Sequence, residues 1–466
     1  MNRNGASRGW DYDVAVIGGG SAGYAAARTV AAAGRRAVVV DGADTLGGLC
    51  ILRGCMPTKA LLWAAEIRHW MRNARTWGIE PVSGTFSWAD VLARKDALIR
   101  EFAEYRQGQL KDGRFDLIRE RARFLDGHTL ALGDGGDRLT ADQFVVATGS
   151  TVSPPPLAEL DDAGFLTSDE LIHLPTLPES MIVLGGGAIA LEFAQMLARF
   201  GVEVTVIQRS ARVLSGFDAD VGEALEEALR AEGITVWTGT GLLSARREGA
   251  DRVVRFRHGD DERESRAEAV LLALGRRPNL DGLGLETAGV RVEGGRIVTD
   301  ARMRTRAGNI FAAGDCTGPH DIVHLAVRQG EIAGHNAVDP DRPWEMDYRL
   351  LTRVVFTEPQ VAVVGLGERE AGRQGIPHRV ARYRFEDHGK ALIMGARHGF
   401  VKLLADVEEG RILGGACVGP MGGELIHEIG VAMSAGLTAA QLAAVPHYHP
   451  TLAEIWTYPA EELAEG

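Results

Sequence analysis

Cysteine is scarce, with four in 466 residues, too few for the disulfide framework of a secreted scaffold. No uninterrupted apolar stretch approaches the ~20 residues that a membrane-crossing helix needs. Met1 to Trp10 has no apolar core and does not read as a signal peptide. Basic charge is in deficit, 51 Lys and Arg against 63 Asp and Glu, and the resulting net charge of -12 disfavours nucleic acid or an anionic membrane as partner. These absences leave a cytoplasmic globular protein as the expectation. The length is too great for one core, so two to four domains are expected.

Two glycine-rich segments carry the first positive signal. Asp13-Val14-Ala15-Val16-Ile17 is a short apolar run followed by Gly18-x-Gly20-x-x-Gly23, an Ala-rich stretch from Tyr24 to Ala33, and a second apolar run, Ala37 to Val40, ending at Asp41. Strand, glycine turn, helix and strand closing on an acid is the dinucleotide-binding pattern. The glycines admit a pyrophosphate to the helix N-terminus, and the acid accepts from a ribose hydroxyl. The pattern recurs at Met181 to Leu184 with Gly185-x-Gly187-x-x-Ala190, and Val202 to Ile207 ends at Gln208, followed by Arg209 and Arg212. Two such units imply two nucleotide cofactors.

Cys50 and Cys55 lie in Gly47-Gly48-Leu49-Cys50-Ile51-Leu52-Arg53-Gly54-Cys55-Met56-Pro57-Thr58-Lys59. On a regular helix, residues five apart point about 140° away from each other, whereas a disulfide needs its Cα atoms within ~7 Å. The turn between them must be distorted; Gly54 permits this and Pro57 withholds a hydrogen bond from Arg53. The spacing is too wide for a zinc knuckle and no second pair accompanies it. A redox-cycling dithiol is the economical reading, with no metal site expected.

With these motifs in order, the chain resembles the class I pyridine nucleotide–disulfide oxidoreductase family, whose members include dihydrolipoamide dehydrogenase, glutathione reductase and mercuric reductase. Val145-Val146-Ala147-Thr148-Gly149-Ser150 resembles the second flavin motif, Leu274 to Asn279 the return into the flavin domain, and Ile310 to Asp315 the third flavin motif. His447-Tyr448-His449-Pro450-Thr451-Leu452-Ala453-Glu454 resembles the C-terminal acid/base segment. The resemblance implies an α/β fold: an N-terminal tail (1–10), an FAD-binding domain (11–150 and 271–341), an NAD(P)-binding domain (151–270) and a C-terminal α+β dimerisation domain (342–466). Alternating runs from Gly399 to Ala405 and from Ile412 to Val418 suggest antiparallel strands in the last, and Glu424 to Gly436 reads as a helix.

The same resemblance implies roles. Cys55 is expected to be the flavin-side sulfur, forming a thiolate charge-transfer pair, and Cys50 the interchange thiol. Lys59 is expected near the flavin, paired with Glu192. His449 would be the acid/base from the partner subunit, oriented by Glu454, which makes the chain a homodimer with shared active sites. FAD contacts fall to Gly18, Gly20, Gly23, Asp41, Gly48, Thr148, Gly149, Arg276 and Asp315; nicotinamide dinucleotide contacts fall to Gly185, Gly187, Gln208 and Arg209. Cys316 and Cys417 read as inert buried thiols. Leu49 departs from the usual Thr, and Ala188 from the bulky residue that covers some nicotinamide pockets. Arg53, between the cysteines, is expected to stabilise a thiolate or attract an anionic substrate.

A neutral Gln208 beside Arg209 and Arg212 favours NADP(H) over NAD(H). The acid/base wording is nearest dihydrolipoamide dehydrogenase, so the expected reaction takes hydride from NAD(P)H through FAD and the Cys50–Cys55 disulfide to a small-molecule or lipoyl disulfide, or the reverse. The alternatives are an NADPH-dependent glutathione-type reductase of low-molecular-weight disulfides, a mercuric or other metal-ion reductase, and a docked subunit of a multienzyme complex. Against metal reduction, the sequence ends Leu463-Ala464-Glu465-Gly466, without a cysteine pair. Trp63, Trp70 and Trp77 recur every seven residues, either as packing or as the wall of a substrate channel.

Overall fold

The computed structural model describes residues 9–82 and 85–465. Most of the N-terminal tail (1–8), Ser83, Gly84 and Gly466 lie outside the described residues. The chain forms two compact units, the first from residues up to Thr58, Ala93–Ser153 and Arg276–Asp347, the second from Lys59–Leu92, Pro154–Gly275 and Tyr348 onward.

In the first unit, strand Tyr12–Ile17 pairs in parallel on both sides, Val14 opposite Ala37 and Ala15 opposite Phe144. A strand flanked on both edges and covered on both faces is apolar throughout, which explains the unbroken run. Alternation divides it: Val14 and Val16 enter one cluster with Val30 and Leu110, Ala15 and Ile17 another with Phe124 and Phe144. Ile310–Ala312 adds a parallel strand beside Asp137–Val146, and Ala122–Phe124 with Thr129–Leu132 extends the sheet as an antiparallel meander.

Helix α1 (Ser21–Ala32) packs on the helix Val323–Val338 at a distance only small residues allow. A Cβ at Gly330 would stand 2.1 Å from the carbonyl oxygen of Ala22, and one at Gly334 2.6 Å from that of Ala26. The alanine-rich character of α1 therefore reflects this close helix contact as well as helix propensity.

In the second unit, the strands Thr235–Trp237, Glu203–Ile207, Ser180–Leu184, Ala269–Leu272 and Leu166–Thr167 form a parallel sheet in that order. The strands Thr240–Glu248, Asp251–His258 and Asp261–Ala267 form an antiparallel excursion from it. The expected C-terminal strands appear as Phe400–Asp406 and Ile412–Gly419, antiparallel with Val401 opposite Cys417, and the expected helix as Gly422–Ser434. Lys402 on the first of these is fully buried; its ammonium bonds Asp218, Asp220 and Glu368 at 2.8, 2.8 and 2.9 Å, which satisfies all three of its donors. Among the described residues, no helix is long and apolar enough to cross a membrane.

The helix contact in the first unit gives a direct test. Gly330→Ala should destabilise the protein by roughly 1–3 kcal/mol through overpacking against backbone. Gly108→Ala, on a helix with nothing near the added methyl, should instead stabilise by about 0.5–1 kcal/mol. Urea unfolding of both variants measures the contrast.

Candidate active site

The two cysteines sit at a helix break. Helix α2 (Gly48–Leu52) ends at Arg53, whose N–H donates to the Leu49 carbonyl at 2.9 Å, and helix α3 (Cys55–Asn73) begins two residues later. At Gly54 a Cβ would lie 3.4 Å from the Cys50 Cα, so the chain folds back over the first cysteine as it reaches the second. Pro57 falls in the first turn of α3, where its missing N–H costs least. Both cysteines are half-buried, and Arg53 is exposed at the hinge.

The cysteine segment begins against the first glycine loop. Gly48, at φ +75°, would bring a Cβ within 2.7 Å of the Gly20 Cα. Gly18 has φ +100° with the Ala147 carbonyl 2.5 Å from its Cβ position, and a methyl at Gly23 would stand 1.8 Å from the Gly18 carbonyl. Asp41 follows the second strand and accepts from the N–H of Gly19 at 2.7 Å and of Ala43 at 2.9 Å. Nearby, Ser150 Oγ donates to Asp315 at 2.7 Å and accepts from Arg276 Nε at 3.0 Å, while Asn279 ties back to Gly149. The Thr148 hydroxyl is buried and takes no partner among the described residues. Gly18 and Gly23, which leave no room for a side chain, an acid closing the second strand and an orphaned hydroxyl together fit an FAD site. Cys316 is buried beside these residues, and burial pushes its thiol up to about 12; burial raises the Cys417 thiol as well.

The second unit repeats the glycine loop in a looser form. Gly185 has φ +121° and would bring a Cβ within 2.4 Å of the Ala273 carbonyl, matching Gly18. Gly187 caps the helix Ala188–Arg199, and its Cβ direction is open. Ala190 carries a methyl at the position where Gly23 has no room for one, so this loop stands wider. Gln208 lies against Gly186 as Asp41 lies against Gly19, with Arg209 exposed beyond it.

Within this unit, Lys59 on α3 donates to Glu192 at 2.8 Å and sits 4.5 Å above the Phe356 ring. Glu192 is almost fully buried and also accepts from the Phe356 N–H at 2.9 Å. One helical turn on, Gln195 bonds the Glu358 backbone in both directions, and Arg199 makes a bidentate pair with Glu232 at 2.7 and 2.9 Å. Burial, reinforced by Glu66, pushes the Glu358 carboxyl up to about 8.

His449 Nδ1 faces both Glu454 oxygens at 2.9 and 3.0 Å while its side chain stays 73% exposed, so the imidazole is oriented and its Nε2 remains available. His447, two residues earlier, is turned inward: Nε2 meets Glu428 at 2.5 Å and Nδ1 lies 2.9 Å from the Val445 carbonyl and 3.0 Å from the Thr457 hydroxyl. The two histidines thus use separate carboxylates. Sequence reasoning missed the Glu428 partner, Glu358 and Arg106, which stacks on Tyr24 at 4.3 Å; none carries a local motif. Trp63 and Trp70 meet edge to face at 6.0 Å, and all three indoles of the heptad are exposed in the chain rather than packed in its core.

Glu358 supplies a pH test. Its pKa of about 8 lies above the ordinary 4.5, so between those values the native state holds a proton that the unfolded chain releases. Its contribution is present at low pH and is lost as pH rises through the folded pKa. Glu358→Gln should flatten this part of the profile; denaturation across roughly pH 5 to 9 should show the variant gaining on wild type until the difference levels.

Residues 12–330 match the family model described as pyridine nucleotide-disulphide oxidoreductase, and residues 351–460 match that family's dimerisation domain. Mercuric reductase of Streptomyces lividans is 37% identical over 449 residues, covering 95% of this chain and 94% of that one. A dihydrolipoyl dehydrogenase of Bacillus subtilis (strain 168) is 33% identical over 457 residues, with 95% and 96% covered. Among solved structures, the HOCl-induced flavoprotein disulfide reductase RclA from Escherichia coli superposes with a TM-score of 0.85 at 26% identity, covering 97% of this chain and 99% of that one. The chain belongs to the pyridine nucleotide–disulphide oxidoreductase family, enzymes that depend on FAD and a pyridine nucleotide.

Proposed function

We propose that this protein is an NADPH-preferring reductase of lipoyl-type or other low-molecular-weight disulfides, with Cys50 and Cys55 as the exchanging pair. The observation that carries the reading is the helix break that folds Gly54 over Cys50 directly beside the glycine loop. The overall reaction is NAD(P)H + H⁺ + RSSR′ → NAD(P)⁺ + RSH + R′SH. Bound FAD supplies hydride acceptance from the nicotinamide and delivery of an electron pair to a sulfur.

The chain's own residues do the rest. Gly18, Gly20, Gly23, Gly48, Asp41, Thr148, Gly149, Arg276 and Asp315 hold the flavin dinucleotide; Gly185, Gly187, Gln208 and Arg209 hold the nicotinamide dinucleotide. Lys59 supplies a cation whose position Glu192 fixes. The Cys50 thiolate attacks one substrate sulfur, forming a mixed disulfide and expelling the other as thiolate. His449, acting across the dimer and held by Glu454 at Nδ1, protonates that leaving group from Nε2. The Cys55 thiolate then attacks the Cys50 sulfur, closing the intramolecular disulfide and releasing the second thiol. Only these two cysteines are available to substrate, since Cys316 and Cys417 are fully buried. A metal ion would therefore meet at most two thiols of one chain, which favours a disulfide as the substrate.

Cys50→Ser and Cys55→Ser should retain bound flavin yet lose disulfide turnover by more than about a thousandfold. His449→Gln should lose roughly 10²–10⁴-fold. Disulfide turnover by either serine variant at the native rate would overturn the mechanism. For the nucleotide, Gln208→Glu introduces an acceptor for a ribose hydroxyl and repels a 2′-phosphate. The ratio of kcat/KM for NADPH over NADH should fall about tenfold or more; an unchanged ratio would remove Gln208 from the assignment.

A further inference from the structure

We propose that Arg106 is a specificity-determining residue that receives a carboxylate on the disulfide substrate, so that the preferred substrates are acidic. The proposal rests on the disulfide-reductase reading and names the substrate class within it.

Arg106 lies on helix α4 (Trp88–Leu110), with its guanidinium 4.3 Å above the ring of Tyr24 from α1. Tyr24 is a firm platform: it is buried, it meets Phe115 edge-on, and its hydroxyl accepts from Arg114 at 3.0 Å. The other two arginines here are neutralised, Arg28 by Glu331 and Arg114 by Asp112. Arg106 forms no ion pair among the described residues, and its Nε and Nη1 are buried without an acceptor.

That arrangement is costly. A buried neutral donor left unsatisfied is destabilising and a charged one more so, and arginine cannot shed its proton to escape. A fold that retains such a group invites an acceptor that arrives with a ligand. The geometry says which ligand. Burial lowers the Arg106 pKa, while Tyr24 and then Cys50 oppose that shift, so the guanidinium, still charged, interacts with the sulfur proposed to exchange with substrate. A planar guanidinium stacked on an aromatic face presents its remaining N–H edge in a fixed plane, which suits a carboxylate. Arg53, the other cation expected to stabilise a thiolate or attract an anionic substrate, is exposed at the hinge between α2 and α3. The cofactor's pyrophosphate is the competing acceptor, because Tyr24 directly follows the glycine loop.

The test compares disulfides that differ only in charge, using flavin-loaded wild type, Arg106→Gln and Arg106→Lys. Lipoate and lipoamide share one dithiolane; dithiodipropionate and hydroxyethyl disulfide form a linear acidic and neutral pair. The expected result is that wild type favours the acidic member of a pair. Arg106→Gln should lower the acidic-to-neutral kcat/KM ratio about tenfold, through KM, and Arg106→Lys, which keeps the charge but not the planar edge, should fall between the two. Equal ratios in all three proteins would overturn the proposal while leaving disulfide reduction intact. Loss of bound flavin in Arg106→Gln, read from its absorbance, would overturn it too by assigning the guanidinium to the cofactor. Failure of wild type to reduce any disulfide would instead sink the functional reading beneath it.

Discussion

The arrangement depends on two backbones in contact. Where Gly48 crosses Gly20, Gly48 has no room for a Cβ, which would stand 2.7 Å from the Gly20 Cα, and it also needs a positive φ. The start of the cysteine segment is therefore fixed by main-chain contact with the nucleotide loop. Side chains could relax by a rotamer change; two touching backbones cannot. From that fixed start, α2 runs for five residues before the Arg53–Gly54 break turns the chain back over Cys50 and begins α3. The proximity of the cysteine pair to the glycine loop thus follows from glycines at 48 and 54 as much as from the cysteines themselves.

Both nucleotide loops were legible in the sequence because their requirements are local. Each needs a glycine at positive φ under a neighbouring carbonyl, Gly18 under Ala147 and Gly185 under Ala273, followed by a helix start. The sequence also recorded where the copies diverge. Gly23 cannot become alanine without driving a methyl into the Gly18 carbonyl, whereas Ala190 shows that its own loop has the space. The strands around both loops are legible nearly to the residue, since strands buried on both faces show as largely apolar runs.

The polar pairs were less legible, and the reason is range. His449 and Glu454 are five residues apart in one segment and were found together. Glu428 reaches His447 from a different helix, Glu358 meets Gln195 across more than a hundred residues, and Arg106 meets Tyr24 from α4. No periodicity marks a polar residue whose partner arrives through the fold. Lys59 and Glu192 are equally distant along the chain, and only the resemblance paired them; their 2.8 Å contact supports that pairing. The tryptophan heptad shows the opposite failure: its period was plain, yet period alone does not say what covers a helix face, and the indoles stand exposed in the chain.

The turn from His447 to Glu454 sets two imidazoles of one short segment in opposite surroundings. An exposed imidazole has a large conformational freedom that must be restrained before it can transfer a proton along a fixed line. His449 receives that restraint from Glu454 at one nitrogen only, which leaves the other outward. His447 makes the complementary arrangement: its side chain is 8% exposed and both ring nitrogens are engaged, one by Glu428 and one by Val445 and Thr457. A ring with neither nitrogen available cannot exchange protons with substrate, but it can hold the backbone beside it. Two histidines two residues apart therefore differ in burial and in the number of engaged nitrogens, and the acid/base proposal for His449 draws on that difference.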